Sequence, residues 1–143
     1  MRISEILRRK GASVVTVSPE ASVRQLLDLL AEHNVGALVV TESELTIAGI
    51  VSERDVVRQL HERGADLLDA PVSSIMTAEV HTCKPDARVD ELRRTMTNHR
   101  IRHLPVVSEG RLIGIVSIGD VVKSTIDELE SERDHLVGYI QRS

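Results

Sequence analysis

Two hydrophobic rhythms alternate along this chain. Residues 13–17 place β-branched side chains in the alternation of a strand, and the cluster Ser18-Pro19-Glu20-Ala21-Ser22 then turns the chain into a helix, with Pro19 expected near its first turn. Val23, Leu26, Leu27 and Leu30 follow at helical spacing, a core-facing stripe that ends near His33 and Asn34. The next apolar run, residues 37–40, is too short for a helix and reads as a buried strand, with residues 47–51 as its hairpin partner. Ser52 opens a second helix that carries Val56, Val57 and Leu60 towards Gly64.

The same order then returns. A strand is predicted at residues 80–83, a turn at Lys84, Pro85 and Asp86, and a helix through Val89, Leu92 and Met96. Strands at 104–107 and 112–116, joined by Ser108-Glu109-Gly110, lead to a helix beginning at Ser117. Residues 14–58 therefore recur as residues 80–123, with roughly one aligned position in three identical. Pro19, Ala21, Val23, Leu26, His33 and Leu38 match Pro85, Ala87, Val89, Leu92, His99 and Leu104. Two units are too few for a solenoid, so a closed pseudo-symmetric pair is expected. Around Pro71 and Ile75 the connecting segment resembles the opening residues 3–7, so it belongs to the repeat and is not a tether. The expected organisation is a first repeat at 1–66, a second at 67–125 and a helical extension at 126–143. In that extension Ile126, Leu129, Arg133, Leu136, Val137 and Ile140 continue a three-and-four spacing. It fits either a cap on its own chain or a subunit contact.

Composition narrows the function. At 143 residues the chain is one compact module that needs no disulfide or metal to fold. Its single cysteine and the lack of a signal-like or membrane-spanning run point to a cytoplasmic protein. A net charge of -4, with acids and bases interspersed, gives no footprint for nucleic acid, and neither nucleic acid nor membrane is expected as a partner. Tyr139 is the only aromatic of the Phe, Trp and Tyr group, so any bound heterocycle must rest on aliphatic side chains and backbone.

One polar motif recurs at a strand-to-helix junction: Ser52-Glu53-Arg54-Asp55 and Ser117-Ile118-Gly119-Asp120. Ser-x-x-Asp ahead of an apolar run is the signature of a capping box, in which both side chains satisfy backbone donors at the helix start. The same hydroxyl and carboxylate could instead receive a ribose diol, beside a helix N-terminus that favours anions. Both readings stay open from spacing alone.

Taken together, the Pro-marked turn, the helix, the Leu-Pro or Leu-Val strand and the closing Gly-Ile-Val-Ser-x-x-Asp, all in tandem, resemble a cystathionine β-synthase (CBS) domain pair of the stand-alone bacterial type. The resemblance implies an α/β (α+β) fold: two β-α-β-β-α repeats packed as one module, here with an extended C-terminal helix, and usually a homodimer. It also implies an adenosine-containing ligand of the AMP, ADP, ATP or NAD class, acting as a regulator and not as a catalytic cofactor. Carried onto this chain, it places ribose on Ser52 and Asp55 in one cleft and on Ser117 and Asp120 in the other. Adenine would meet the backbone of His81, Thr82 and Cys83 in the first cleft, and of Val15, Thr16 and Val17 in the second. Phosphates would meet Arg54, Arg102 and His103 in the first, whereas the equivalent Gly119, Gly36 and Ala37 carry no charge. Charge-assisted contacts are roughly twice as strong as neutral ones, so the Asp55 cleft is expected to be the tighter, with about one nucleotide per chain at moderate concentration and two at saturation.

Other residues invite simpler readings. His99 and His103 are four apart but straddle a predicted helix end, so no metal site is expected. His33 and His99 suit helix C-termini, where an imidazole meets the last carbonyls. Cys83 reads as a small buried hydrophobe. No nucleophile elbow, phosphate-cradling glycine loop or zinc spacing is present, so catalysis is not expected. A nucleotide sensor, a ligand-free dimerisation or interaction module, and a regulatory subunit separated from its catalytic chain, with an unidentified regulated protein as partner, remain the competing functions.

Overall fold

The computed structural model describes residues 1–11 and 14–142, and the predicted strand start at Ser13 lies outside them. Helix α1 spans Ile3–Lys10, strand β1 Thr16–Val17, α2 Val23–His33, β2 Ala37–Thr41, β3 Ile47–Ser52 and α3 Glu53–Arg63. After short 3-10 turns at Gly64–Asp69 and Val72–Ser74 come α4 Val89–His99, β4 His103–Ser108, β5 Arg111–Ser117 and α5 Ile118–Arg142. The fold is mixed α/β, with two small sheets and a long C-terminal helix.

In the first sheet β1 pairs parallel with β2, and β2 antiparallel with β3, with Leu38 opposite Val51. In the second, β4 and β5 pair antiparallel, with the equivalent Leu104 opposite Val116. The predicted strand at 80–83 does not form. Only Cys83 bridges Val106, donating its N–H to Pro105 O at 3.0 Å and accepting from Val107 N at 2.8 Å. His81 and Thr82 are exposed, so no buried side chain holds that segment on the sheet as Val17 holds β1.

The first helix of each repeat buries the stripe its spacing announced, Val23, Leu26 and Leu30 on α2 and Val89, Leu92 and Met96 on α4, whereas on α3 only Val56 is buried and Val57 and Leu60 are exposed. Full burial of such side chains stabilises by roughly 1.5–3 kcal/mol each. Helix α2 begins later than expected. Ser22 is its N-cap and Gln25 closes the box, whereas Ser18 is engaged with Glu20 at 2.6 Å, leaving Pro19 in the preceding turn.

Two cores result, and they exchange their lids. The first combines Val17, Leu26, Leu38 and Val51 with Leu67, Val72 and Ile75 from the connecting segment. The second combines Leu92, Met96, Leu104 and Val116 with Ile3 and Ile6 from α1. The backbone contacts repeat faithfully: Val72 N to Ala21 O (2.8 Å) matches Ile3 N to Ala87 O (3.0 Å), and Ser73 N to Pro19 O (3.0 Å) matches Ser4 N to Pro85 O (2.9 Å). The first ten residues thus serve the second half, as the connecting segment serves the first.

Beyond Ser124, α5 has no buried residue. Leu129 and Leu136 are 59% and 64% exposed, while Asp127 pairs with Arg9 of α1 at 3.4 Å.

Candidate ligand-binding site

Strand β3 runs directly into α3 at Ser52, and this junction is where the capping-box geometry forms. Ser52 N donates to Asp55 Oδ2 at 2.8 Å, Ser52 Oγ donates to the same oxygen at 3.2 Å, and Asp55 N donates to Ser52 Oγ at 3.4 Å. The second junction repeats it, with Ser117 N to Asp120 Oδ2 at 2.9 Å and Asp120 N to Ser117 Oγ at 3.2 Å. Both motifs therefore cap their helices. A cap uses one carboxylate oxygen, and the other lone pairs stay open to a further donor.

Beside the first junction lies a cavity of about 460 Å³, within the range of small-molecule sites. It gathers Ser52, Arg54, Asp55, His81, Arg102 and His103, all expected on the first cleft. Gly36 and Ala37, assigned to the second cleft from sequence, line this cavity too. The reason is local: Gly36 O accepts from Glu53 N at 2.9 Å, and a Cβ at Gly36 would come within 3.9 Å of the His103 ring. The two halves of the molecule meet here, so the start of β2 forms the rim of the first cavity.

The sequence reading missed four charged members of this wall, Glu53, Arg58, Glu79 and Arg100. Arg58 follows Arg54 by one helical turn, a signal that was present and unused. Arg100 occupies the left-handed residue ending α4 (φ 54), the position Asn34 takes after α2 (φ 51). Four arginines therefore face the cavity, and none of them forms a salt bridge with a described residue.

Other expected residues lie elsewhere. Thr82 and Cys83 line a separate cavity of about 480 Å³ with Arg2, Lys84 and Glu91, because the Cys83 backbone is committed to β4. Burial pushes the Cys83 thiol up to about 11, and its sulfur donates to Pro105 O at 3.6 Å. Thr16 and Val17 line a third hollow of about 400 Å³ beside α2, while Val15 packs on the first core. Ser117 and Asp120 line none of these three cavities.

The second junction is also not uncharged. Lys10, at the end of α1, places Nζ 2.8 Å from Asp120 Oδ2 and 2.8 Å from Ile115 O. Burial pushes the Asp120 carboxyl up, but hydrogen bonds from Lys10 and Ser117 and the Lys10 charge outweigh it and hold the group below its ordinary 3.8. Lys10 escaped the sequence reading because it precedes the repeat.

Histidines sit around the junction of the halves. His99 stacks on His81 with ring centroids 4.2 Å apart, a contact that its reading as a helix-end residue did not include. Burial lowers His103 below its ordinary 6.5, and the charges of Lys10 and Arg102 act in the same direction against Asp120 and Glu53. Among the described residues, no group of three or more His, Cys, Asp or Glu side chains assembles as a metal centre would require. Nor, among them, is any helix long and apolar enough to cross a membrane.

Comparison with known proteins places this architecture. The family model described as the CBS domain matches twice, at residues 3–62 and 72–127. The mitochondrial CBS domain-containing protein CBSX3 of Arabidopsis thaliana is 36% identical over 147 aligned residues, covering 97% of this chain and 71% of that protein. The crystal structure of a CBS-domain-containing protein from Agrobacterium tumefaciens superposes with a TM-score of 0.84 at 42% identity, covering 87% of this chain and 99% of that one. The CBS domain pair of protein MJ0100, crystallised with 5'-methylthioadenosine and S-adenosyl-L-methionine, superposes with a TM-score of 0.79 at 24% identity, covering 87% of this chain and 99% of its own.

Proposed function

Since the chain belongs to the CBS-domain family, we propose that it is a regulatory module that binds one adenine nucleotide, of the AMP, ADP, ATP or NAD class, in the Asp55 cavity and performs no chemistry on it. The observation that carries this reading is the wall of that cavity: Ser52 and Asp55 with Arg54 and Arg58 of the same helix, and Arg100 and Arg102 from the second half, no arginine of the four ion-paired with a described residue. Asp55 would accept the ribose hydroxyls through the lone pairs its cap leaves open, and the guanidinium groups would hold phosphate bidentately. The adenosine compounds bound by the MJ0100 pair support an adenosine-containing ligand.

Such a ligand would tie the first half, through Asp55, to the second, through Arg102 and His103. It can shift the arrangement of the halves, or of two chains, only by its differential affinity for the two states. Calorimetry with AMP, ADP, ATP and NAD tests the assignment. Asp55→Ala is expected to lower affinity at least tenfold, about 1.4 kcal/mol. Arg102→Ala is expected to weaken AMP while sparing adenosine. Unchanged affinity in Asp55→Ala would remove the site.

A second reading, a structural interaction module, draws on the completeness of both caps. Absence of binding by every nucleotide would favour it.

A further inference from the structure

The two halves repeat each other so closely that a departure between equivalent atoms is informative. Gly49 lies against Met76, and Gly114 lies against Leu7, so Met76 and Leu7 are equivalent. Three residues further on, Glu79 in the first half corresponds to Lys10 in the second. Glu79 lines the Asp55 cavity, whereas Lys10 is bonded to Asp120.

The backbone differs in the same place. In the first half Thr77 and Ile50 exchange two hydrogen bonds, Thr77 N to Ile50 O at 2.9 Å and Ile50 N to Thr77 O at 3.0 Å. In the second half the connecting chain stays helical, and the equivalent carbonyl, Ile115 O, accepts from the Lys10 ammonium at 2.8 Å. The side chain of Lys10 thus replaces a backbone donor, and its second hydrogen bond reaches the motif carboxylate. The pair is sheltered, with side-chain exposures of 35% for Lys10 and 22% for Asp120. Asp55, in contrast, meets no ammonium or guanidinium group within salt-bridge distance among the described residues.

We propose that Lys10 is a specificity-determining residue: by holding Asp120 and the Ile115 carbonyl, its ammonium closes the second cleft to ribose-bearing ligands and confines them to the Asp55 cavity. This rests on the reading that Ser-x-x-Asp receives ribose. A ribose diol brings the carboxylate hydrogen bonds from neutral hydroxyls, whereas Lys10 brings a full opposite charge at 2.8 Å, in a bond already formed at no cost in association. Displacing Lys10 would also strand the Ile115 carbonyl. Glu79, unable to make either contact, leaves the first cavity open.

Calorimetric stoichiometry of AMP on the wild type, Lys10→Met and Lys10→Gln tests this, with thermal melts showing that at least one variant is folded. One AMP on the wild type and two on a folded variant is the expected result. One on both overturns the role of Lys10 and leaves the Asp55 assignment standing. None on the wild type and one on the variant upholds the role of Lys10 and removes the Asp55 assignment. None on either overturns both, and two on the wild type overturns the closure of the second cleft.

Discussion

At the scale of single residues, Arg100 shows a conflict between stability and charge placement. An L-residue in the left-handed region costs roughly 1–2 kcal/mol, and asparagine tolerates it best among non-glycine residues. The chain uses Asn34 at the end of α2 but Arg100 at the end of α4, where the side chain lines the Asp55 cavity. Arg100→Asn is therefore expected to raise stability by about 1 kcal/mol and to weaken AMP more than adenosine. Urea unfolding and calorimetry on one preparation measure both, and a loss of stability would contradict the account. At this scale the sequence was partly legible. Ser52 and Asp55 carried a repeated motif and Arg102 and His103 were placed by the family resemblance, whereas Arg100 and Lys10 reach their junctions through a helix-end conformation and a contact distant in sequence that no local pattern encodes.

At the scale of elements, periodic stripes were the readable part because burial of one helix face leaves a repeating mark. Val23, Leu26 and Leu30, and later Val89, Leu92 and Met96, are buried as their spacing required. The segment at 80–83 was misread because β-branched residues near a turn look alike whether or not a sheet receives them. Tertiary packing decided it, through exposed His81 and Thr82. Two glycines on equivalent strands give a sharper element-level test. A Cβ at Gly49 would stand 2.7 Å from Thr77 O and 2.8 Å from Met76 Sδ, whereas at Gly114 the three nearest atoms all belong to the Leu7 side chain, the first at 2.6 Å. Backbone cannot yield as a leucine rotamer can. Gly49→Ala is expected to cost about 1–3 kcal/mol in urea unfolding and Gly114→Ala distinctly less. Equal losses would mean that the bridge at Thr77 can shift.

At the scale of the whole molecule, α5 is longer than its own chain can use. From residue 128 to 137 every position is exposed, and Leu129 and Leu136 lie one heptad apart. We propose that this exposed stripe meets a second copy of the chain. Truncation after Thr125 is expected to halve the mass measured by light scattering. A dimer unchanged by truncation would assign the contact to other surfaces.

The exchanged lids bear on time as well as on shape. The residues that complete the first core all lie between Val17 and Ile75, so that half can close while the ribosome is still adding the remainder. The opening helix must wait. Arg2 meets Asp86 across a separation of 84 residues, and until that stretch is made Ile3 and Ile6 have no core to enter. Ile3 and Ile6, made ahead of the first core, are thus sheltered only after the second half has been made.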